Sequence, residues 1–153
     1  MLAKKLKSYL DRWQIKYVAI THSPAFTALE IAESAHIPGR QLAKTVIVKI
    51  DGILAMAVLP SDHRVILDDL RGITHSDNVR LASEREFRDS FPDCEPGAMP
   101  PFGNLYDMSV YVSPDLAREP EIAFNAGSHT EIIRMGYGDF ERLVRPRVAS
   151  FTT

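Results

Sequence analysis

The dipeptide Asp51-Gly52 stands between two β-rich runs, Thr45 to Ile50 and Ile53 to Leu59, and no other short feature restricts the fold as tightly. An Asp-Gly pair flanked by such runs is the strongest short-range hairpin signal, because the tight hairpin turns need positive φ at their central positions. The second run, Ile-Leu-Ala-Met-Ala-Val-Leu, is apolar on both faces, so its strand is expected to be central and covered on both sides.

Around this hairpin the periodicity alternates between helix and strand. Leu2, Leu6, Tyr9, Leu10 and Trp13 form one helical stripe. Tyr17 to Thr21 reads as a short strand ended by Ser23-Pro24. Thr27 and Glu30 have capping-box spacing at the start of a second helix that Pro38-Gly39 stops. Ser61 to Gly72 reads as a turn into a short helix around Leu67 and Leu70, Val79 to Ala82 as a strand or extended link, and Ser83 with Glu86 as a further capping box, with Phe87 and Phe91 facing one way. Val110–Val112 and Glu121–Phe124 read as strands, Thr130–Met135 as strand or helix, and Asp139–Val144 as a terminal helix. Hairpins with interspersed helices predict an α+β fold, a single domain over residues 1–153 around one mixed, largely antiparallel sheet flanked by helices.

At 153 residues a core is feasible without staples, since a domain of about this length buries roughly 68–70% of the surface its unfolded chain exposes. The formal charge of −2 excludes a polybasic nucleic-acid coat, so any nucleic-acid contact has to be local. One cysteine, Cys94, precludes an intrachain disulfide and points to a reducing, cytoplasmic setting. The Lys/Leu-rich start lacks the apolar run of a signal peptide, and nothing approaches the length of a membrane span. No His/Cys spacing suits a metal, and neither G-x-S-x-G nor a P-loop occurs.

Five features bear on possible chemistry. Lys44 begins the first hairpin strand, where rigid placement suits a site; the plain alternative is a solvated lysine. The segment Cys94 to Gly103 holds three prolines and two glycines without the polarity of a linker. It reads as a stiff loop packed by Met99 and Phe102, with Gly97 to Pro101 able to offer backbone groups to a ligand. Gly127-Ser128-His129 follows a strand directly, so its amides and imidazole could face the same cleft, or the histidine could be merely structural. Cys94 reads as a small buried hydrophobe rather than a nucleophile. The basic residues near the ends, Lys4, Lys5, Lys7, Arg142, Arg145 and Arg147, would form a phosphate-binding patch if the termini meet, and solvated charge if they do not.

Taken in order, Ala43-Lys44-Thr45-Val46-Ile47-Val48-Lys49, Leu59-Pro60-Ser61-Asp62, Leu81-Ala82-Ser83-Glu84, Pro96-Gly97 to Pro101-Phe102-Gly103 and Phe124-Asn125-Ala126-Gly127-Ser128-His129 resemble the YbaK/ProX family over about residues 15 to 145. That family comprises editing domains and free-standing proteins that deacylate mischarged tRNA, including the domain inserted in bacterial prolyl-tRNA synthetase. The resemblance implies that Lys44 contacts the terminal adenosine and its phosphate. It also implies that the Gly97-Ala98-Met99-Pro100-Pro101 loop fixes the aminoacyl group and positions water, with help from the substrate's ribose hydroxyl. His129, with Gly127 and Ser128, would shape the aminoacyl pocket, and Phe26 would line it. The implied partner is the acceptor end of an aminoacyl-tRNA, with docking to a synthetase left open, and no DNA, membrane or cofactor is implied. Two departures stand out: Ser113-Pro114 intervenes before Asp115, leaving that carboxylate's role open, and the Gly-Ser-His wording separates this chain from the cysteine-removing branch.

Physical reasoning supports such an enzyme without the name. One methylene in an apolar pocket is worth only about 1–3 kcal/mol, so a synthetase needs a second, hydrolytic sieve against smaller amino acids. An aminoacyl ester is already activated, so positioned water and a stabilised oxyanion suffice. The expected activity is therefore hydrolysis, in trans, of misacylated tRNA, with tRNA for proline carrying Ala, Ser or Cys as the leading substrate. The alternatives are a non-catalytic tRNA- or nucleotide-binding module of the same fold and a cysteine hydrolase built on Cys94.

Overall fold

In the computed structural model, which describes residues 3–23 and 28–153, the Asp51-Gly52 turn carries φ of 47° and 85°, the left-handed pair that a tight hairpin demands. It joins β2 (Leu42–Ile50) to β3 (Ile53–Pro60), which pair antiparallel from Ala43↔Pro60 to Ile50↔Ile53. The strand β2 therefore begins three residues earlier than the run from Thr45 suggests. Lys44 lies inside it rather than at its start.

Both faces of β3 are covered, as its apolar run requires. Met56 and Val58 enter one core cluster and Ala55, Ala57 and Leu59 another. Six further strands complete one mixed sheet: β1 (Tyr17–Thr21), β4 (Val79–Leu81), β5 (Ser109–Val112), β6 (Glu121–Asn125), β7 (Glu131–Gly136) and β8 (Arg147–Val148). The order is β1-β7-β6-β2-β3-β5-β8, with β4 also paired to β2. Four ladders are antiparallel and three parallel, and Thr130–Met135 resolves as strand.

The helices α1 (Lys4–Arg12) and α6 (Tyr137–Val144) cover one face through Leu6, Leu10, Tyr137 and Phe140. Phe102 is the hub of this layer, its ring centroid 5.5 Å from those of both Phe124 and Phe140. The Pro/Gly segment is packed as its composition suggests, with Met99 and Phe102 both buried. On the other face α2 (Ala28–Ala35) covers Leu42, Ala123 and Ile132, and α3 (Leu67–Thr74) covers Val48, Ala57 and Leu59 through Leu70. The short helix α4 (Glu84–Phe87) starts with the expected capping box of Ser83 and Glu86, and α5 (Pro114–Ala117) is capped by Ser113. One residue of the α1 stripe departs from expectation. Trp13 follows the last helical residue and is 56% exposed, because the helix ends before its ring can turn inward.

Two strands share one edge of β2. β6 runs parallel along Leu42 and Ala43, and β4 runs antiparallel along Val48 to Ile50. Between them, from Lys44 to Val46, the edge opens into a notch.

Candidate functional site

Two loops meet at the end of the sheet where this notch opens. The segment 95–98 forms a turn closed by Ala98 N–H donating to the Glu95 carbonyl at 3.0 Å. Two main-chain bonds tie it to the β6–β7 loop: Glu95 N–H donates to Gly127 O at 2.7 Å and Gly127 N–H to Ala98 O at 2.9 Å. Glycine is required at both turning points, since Gly97 has φ +83° and Gly127 φ +102°. At Gly127 space is short as well, because an added Cβ would lie 2.9 Å from that of Ala3.

His129 completes the junction. Its Nε2 lies 2.8 Å from the Pro96 carbonyl, which can only accept, so Nε2 carries the proton and Nδ1 is the acceptor in the neutral ring. Its backbone N–H donates to Glu95 Oε2 at 3.4 Å, and Gly97 lies against the ring. The structure thus brings Gly97, Ala98, Gly127 and His129 together. Ser128 is buried with its hydroxyl 3.3 Å from that of Thr130. Ala98, Met99 and Pro101 are buried, and Met99 sits in the core, so the loop's exposed part is Glu95, Pro96 and Gly97.

Lys44 stands apart from that junction. It alternates with Leu42 and Val46, which puts it on the α2 and α3 side of the sheet, at the position where β2 and β6 diverge. Its Nζ reaches the Ser61 carbonyl at 3.4 Å, and no carboxylate pairs with it among the described residues. Burial lowers its pKa below the usual lysine value, the nearby Arg64 lowers it further, and Asp62 acts in the opposite sense. Lys44 is thus a half-buried cation with no carboxylate within ion-pair distance among the described residues. Phe26 lies outside the described residues.

Sequence reasoning passed over two residues on the same sheet face. Asn125 is one step beyond the last β2–β6 pair, level with Lys44, and its Oδ1 is buried without a hydrogen-bond partner. His22 directly follows β1, its Nδ1 2.8 Å from the Ser23 carbonyl, and its Nε2 is likewise buried and unpartnered. Buried acceptors in this state are destabilising unless a ligand or water supplies donors. Neither belongs to a recognisable spacing pattern, and only strand pairing brings Asn125 level with Lys44 and puts His22 on the same sheet face.

The thiol of Cys94 is not a nucleophile at neutral pH. Burial pushes its pKa up to about 12, and the adjacent Asp93 carboxylate acts in the same direction, against a hydrogen bond with Tyr106 that lowers it. Asp115 is occupied elsewhere, paired with Arg118 at 2.7 Å and 3.8 Å from His63.

Known proteins resemble this chain in sequence and in fold. Residues 22–143 match the aminoacyl-tRNA editing domain family. A multifunctional Ser/Thr-tRNA deacylase, ProXp-y of Escherichia coli, is 26% identical over 97% of this chain and 91% of its own. Among solved structures, a hypothetical protein superposes with a TM-score of 0.87 at 18% identity, covering 98% of this chain and 100% of its own. A candidate trans-editing enzyme for prolyl-tRNA synthetase gives 0.84 at 20%, covering 99% and 96%. No helix among the described residues is long and apolar enough to cross a membrane. With most of its length inside the family match and the same α+β sheet beneath its loops, the chain belongs to the aminoacyl-tRNA editing domain family, the YbaK/ProX deacylases.

Proposed function

We propose that this chain removes a small amino acid from misacylated tRNA in trans, with seryl-tRNA as the leading substrate and tRNA for proline as the leading carrier. The observation that carries the reading is Lys44, a half-buried cation without a carboxylate partner, set level with the unpartnered Asn125 Oδ1 in the notch of the sheet. In this reading Lys44 takes the phosphate of the terminal adenosine, and Asn125 and His22 accept hydrogen bonds from the aminoacyl group. A serine hydroxyl or the α-ammonium group supplies such donors, whereas an alanine methyl does not. The Ser/Thr-tRNA deacylase activity of the Escherichia coli relative supports a hydroxyl-bearing substrate.

Hydrolysis then needs water held against the ester carbonyl and a donor for the developing oxyanion. The exposed main chain at Pro96 and Gly97 offers the first, and the ribose hydroxyl beside the ester takes part in moving the proton. A preorganised oxyanion donor is worth about 2.7–4 kcal/mol.

The test is deacylation of a panel of tRNAs charged with Ala, Ser, Thr, Cys and Pro, comparing wild type with Lys44→Ala. Release of serine, lost in the variant, is the expected result. Release of alanine or cysteine in preference to serine overturns the substrate assignment, and no release from any member favours a binding module of the same fold.

A further inference from the structure

We propose that the surface where α1 meets α6 is a docking site for the phosphate backbone of the RNA, separate from the pocket that takes the aminoacyl end. The inference rests on the tRNA-directed function proposed above. The two helices do meet: Tyr9 Oη donates to the Leu143 carbonyl at 3.5 Å and accepts from Asn104 Nδ2 at 3.1 Å. Around this junction lie three shallow depressions of about 400, 400 and 290 Å³, made continuous by sharing Tyr9, Asn104 and Arg145. Lys5, Arg12, Arg142, Arg145 and Arg147 line them, and among the described residues no aspartate or glutamate does. In a chain of net charge −2 this is a strong segregation of sign. Arg142 is paired with Asp139 at 2.9 Å, while Arg12, Arg145 and Arg147 have no carboxylate partner among the described residues.

The occupant follows from the chemistry of the surface. Unpaired arginines suit phosphates, and the exposed Trp13 ring, 6.4 Å from that of Tyr9, offers a platform on which a base can stack. A lipid surface fits less well, because an interfacial helix needs an apolar outer face and α1 turns Leu6 and Leu10 inward. Distance also agrees. Ala3, just before α1, donates to Ala126 O at 2.8 Å beside the Gly127 loop, so α1 starts at the candidate site and ends at Arg12. Its nine residues span about 14 Å, the length of about four stacked nucleotides. RNA whose 3′ end enters the notch would lay the phosphates that precede it along this helix.

Trp13 is the only tryptophan in the chain, so its emission reports on this surface directly. Uncharged tRNA titrated into the wild-type protein is expected to quench or shift that emission, with an affinity that falls steeply with salt. In the triple variant Arg12→Gln, Arg145→Gln, Arg147→Gln the log–log salt slope is expected to be shallower by about 2. The same variant is expected to hydrolyse an aminoacylated CCA trinucleotide at the wild-type rate. Unchanged Trp13 emission with tRNA, or wild-type tRNA affinity and slope in the variant, overturns the proposal, as does preferential binding to anionic phosphatidylserine vesicles. Because the binding arm uses uncharged tRNA, it stands or falls independently of whether the chain deacylates anything.

Discussion

Gly97 and His129 face each other across the junction of two loops, with the position of a Gly97 Cβ 3.5 Å from His129 Cε1. A methyl group would just fit against the ring; it is the φ of +83° that reserves the position for glycine. Gly97→Ala is therefore expected to lose about 1–2 kcal/mol through backbone strain. For a chain of this size that is roughly 2–8 °C in Tm. Gly97→Asn, which tolerates left-handed backbone, should recover part of that stability but not deacylation, because its side chain obstructs the exposed face of the loop. Thermal unfolding beside single-turnover deacylation checks both, and a fully active Gly97→Asn protein would remove this loop from the site.

Lys44 gives a pH signature. Its folded pKa is lowered, so its charged form is disfavoured in the folded state. That penalty is fully present below the folded pKa and disappears as pH rises from that value toward 10.5. Lys44→Met is thus expected to be at least as stable as wild type near pH 7, with the difference narrowing at alkaline pH, while deacylation is lost. A variant that is both less stable and still active contradicts the role given to this lysine.

Asn125 offers a contrast between stability and activity. Its buried Oδ1 has no partner, so Asn125→Ala removes an unsatisfied acceptor and should not lower stability by more than about 1 kcal/mol. Turnover of a hydroxyl-bearing substrate should fall by one to two orders of magnitude, about 1.4 kcal/mol per tenfold. Equal losses on seryl- and alanyl-tRNA would assign Asn125 to the nucleotide rather than to the amino acid.

At Cys94 the expected outcome is silence. With a pKa pushed up to about 12, thiolate amounts to on the order of 10⁻⁵ of the protein at pH 7. Iodoacetamide should leave the native thiol unmodified over a time in which free cysteine reacts fully, as mass spectrometry would show. Cys94→Ser should keep wild-type deacylation, and its inactivation would revive a thiol mechanism.

Much of the architecture was legible because local chemistry dictated it. Asp51-Gly52 located the hairpin, Ser83 and Glu86 the capping box, and the apolar β3 its own burial on two faces. What stayed hidden depends on pairings between distant strands. Nothing in the sequence says that β6 leaves β2 at Ala43 and that β4 takes the same edge at Val48. Lys44 therefore read as a strand-end lysine, and Asn125 and His22 carried no signal of their own. The terminal basic residues could be named but not joined, since it takes the fold, with Tyr9 against Leu143, to bring α1 and α6 together. Trp13 was misplaced on the inward stripe because periodicity does not reveal that the helix stops one residue short of it.

Two of the bonds between the site loops, Glu95 to Gly127 and Gly127 to Ala98, use peptide atoms only. Every amino acid but proline carries those atoms, so these two bonds survive a change of side chain at Ala98, whereas the two glycines and the His129 ring that bonds the Pro96 carbonyl resist exchange. A junction held in this way keeps its shape while the side chains around it change, as they have between this chain and its 26%-identical relative.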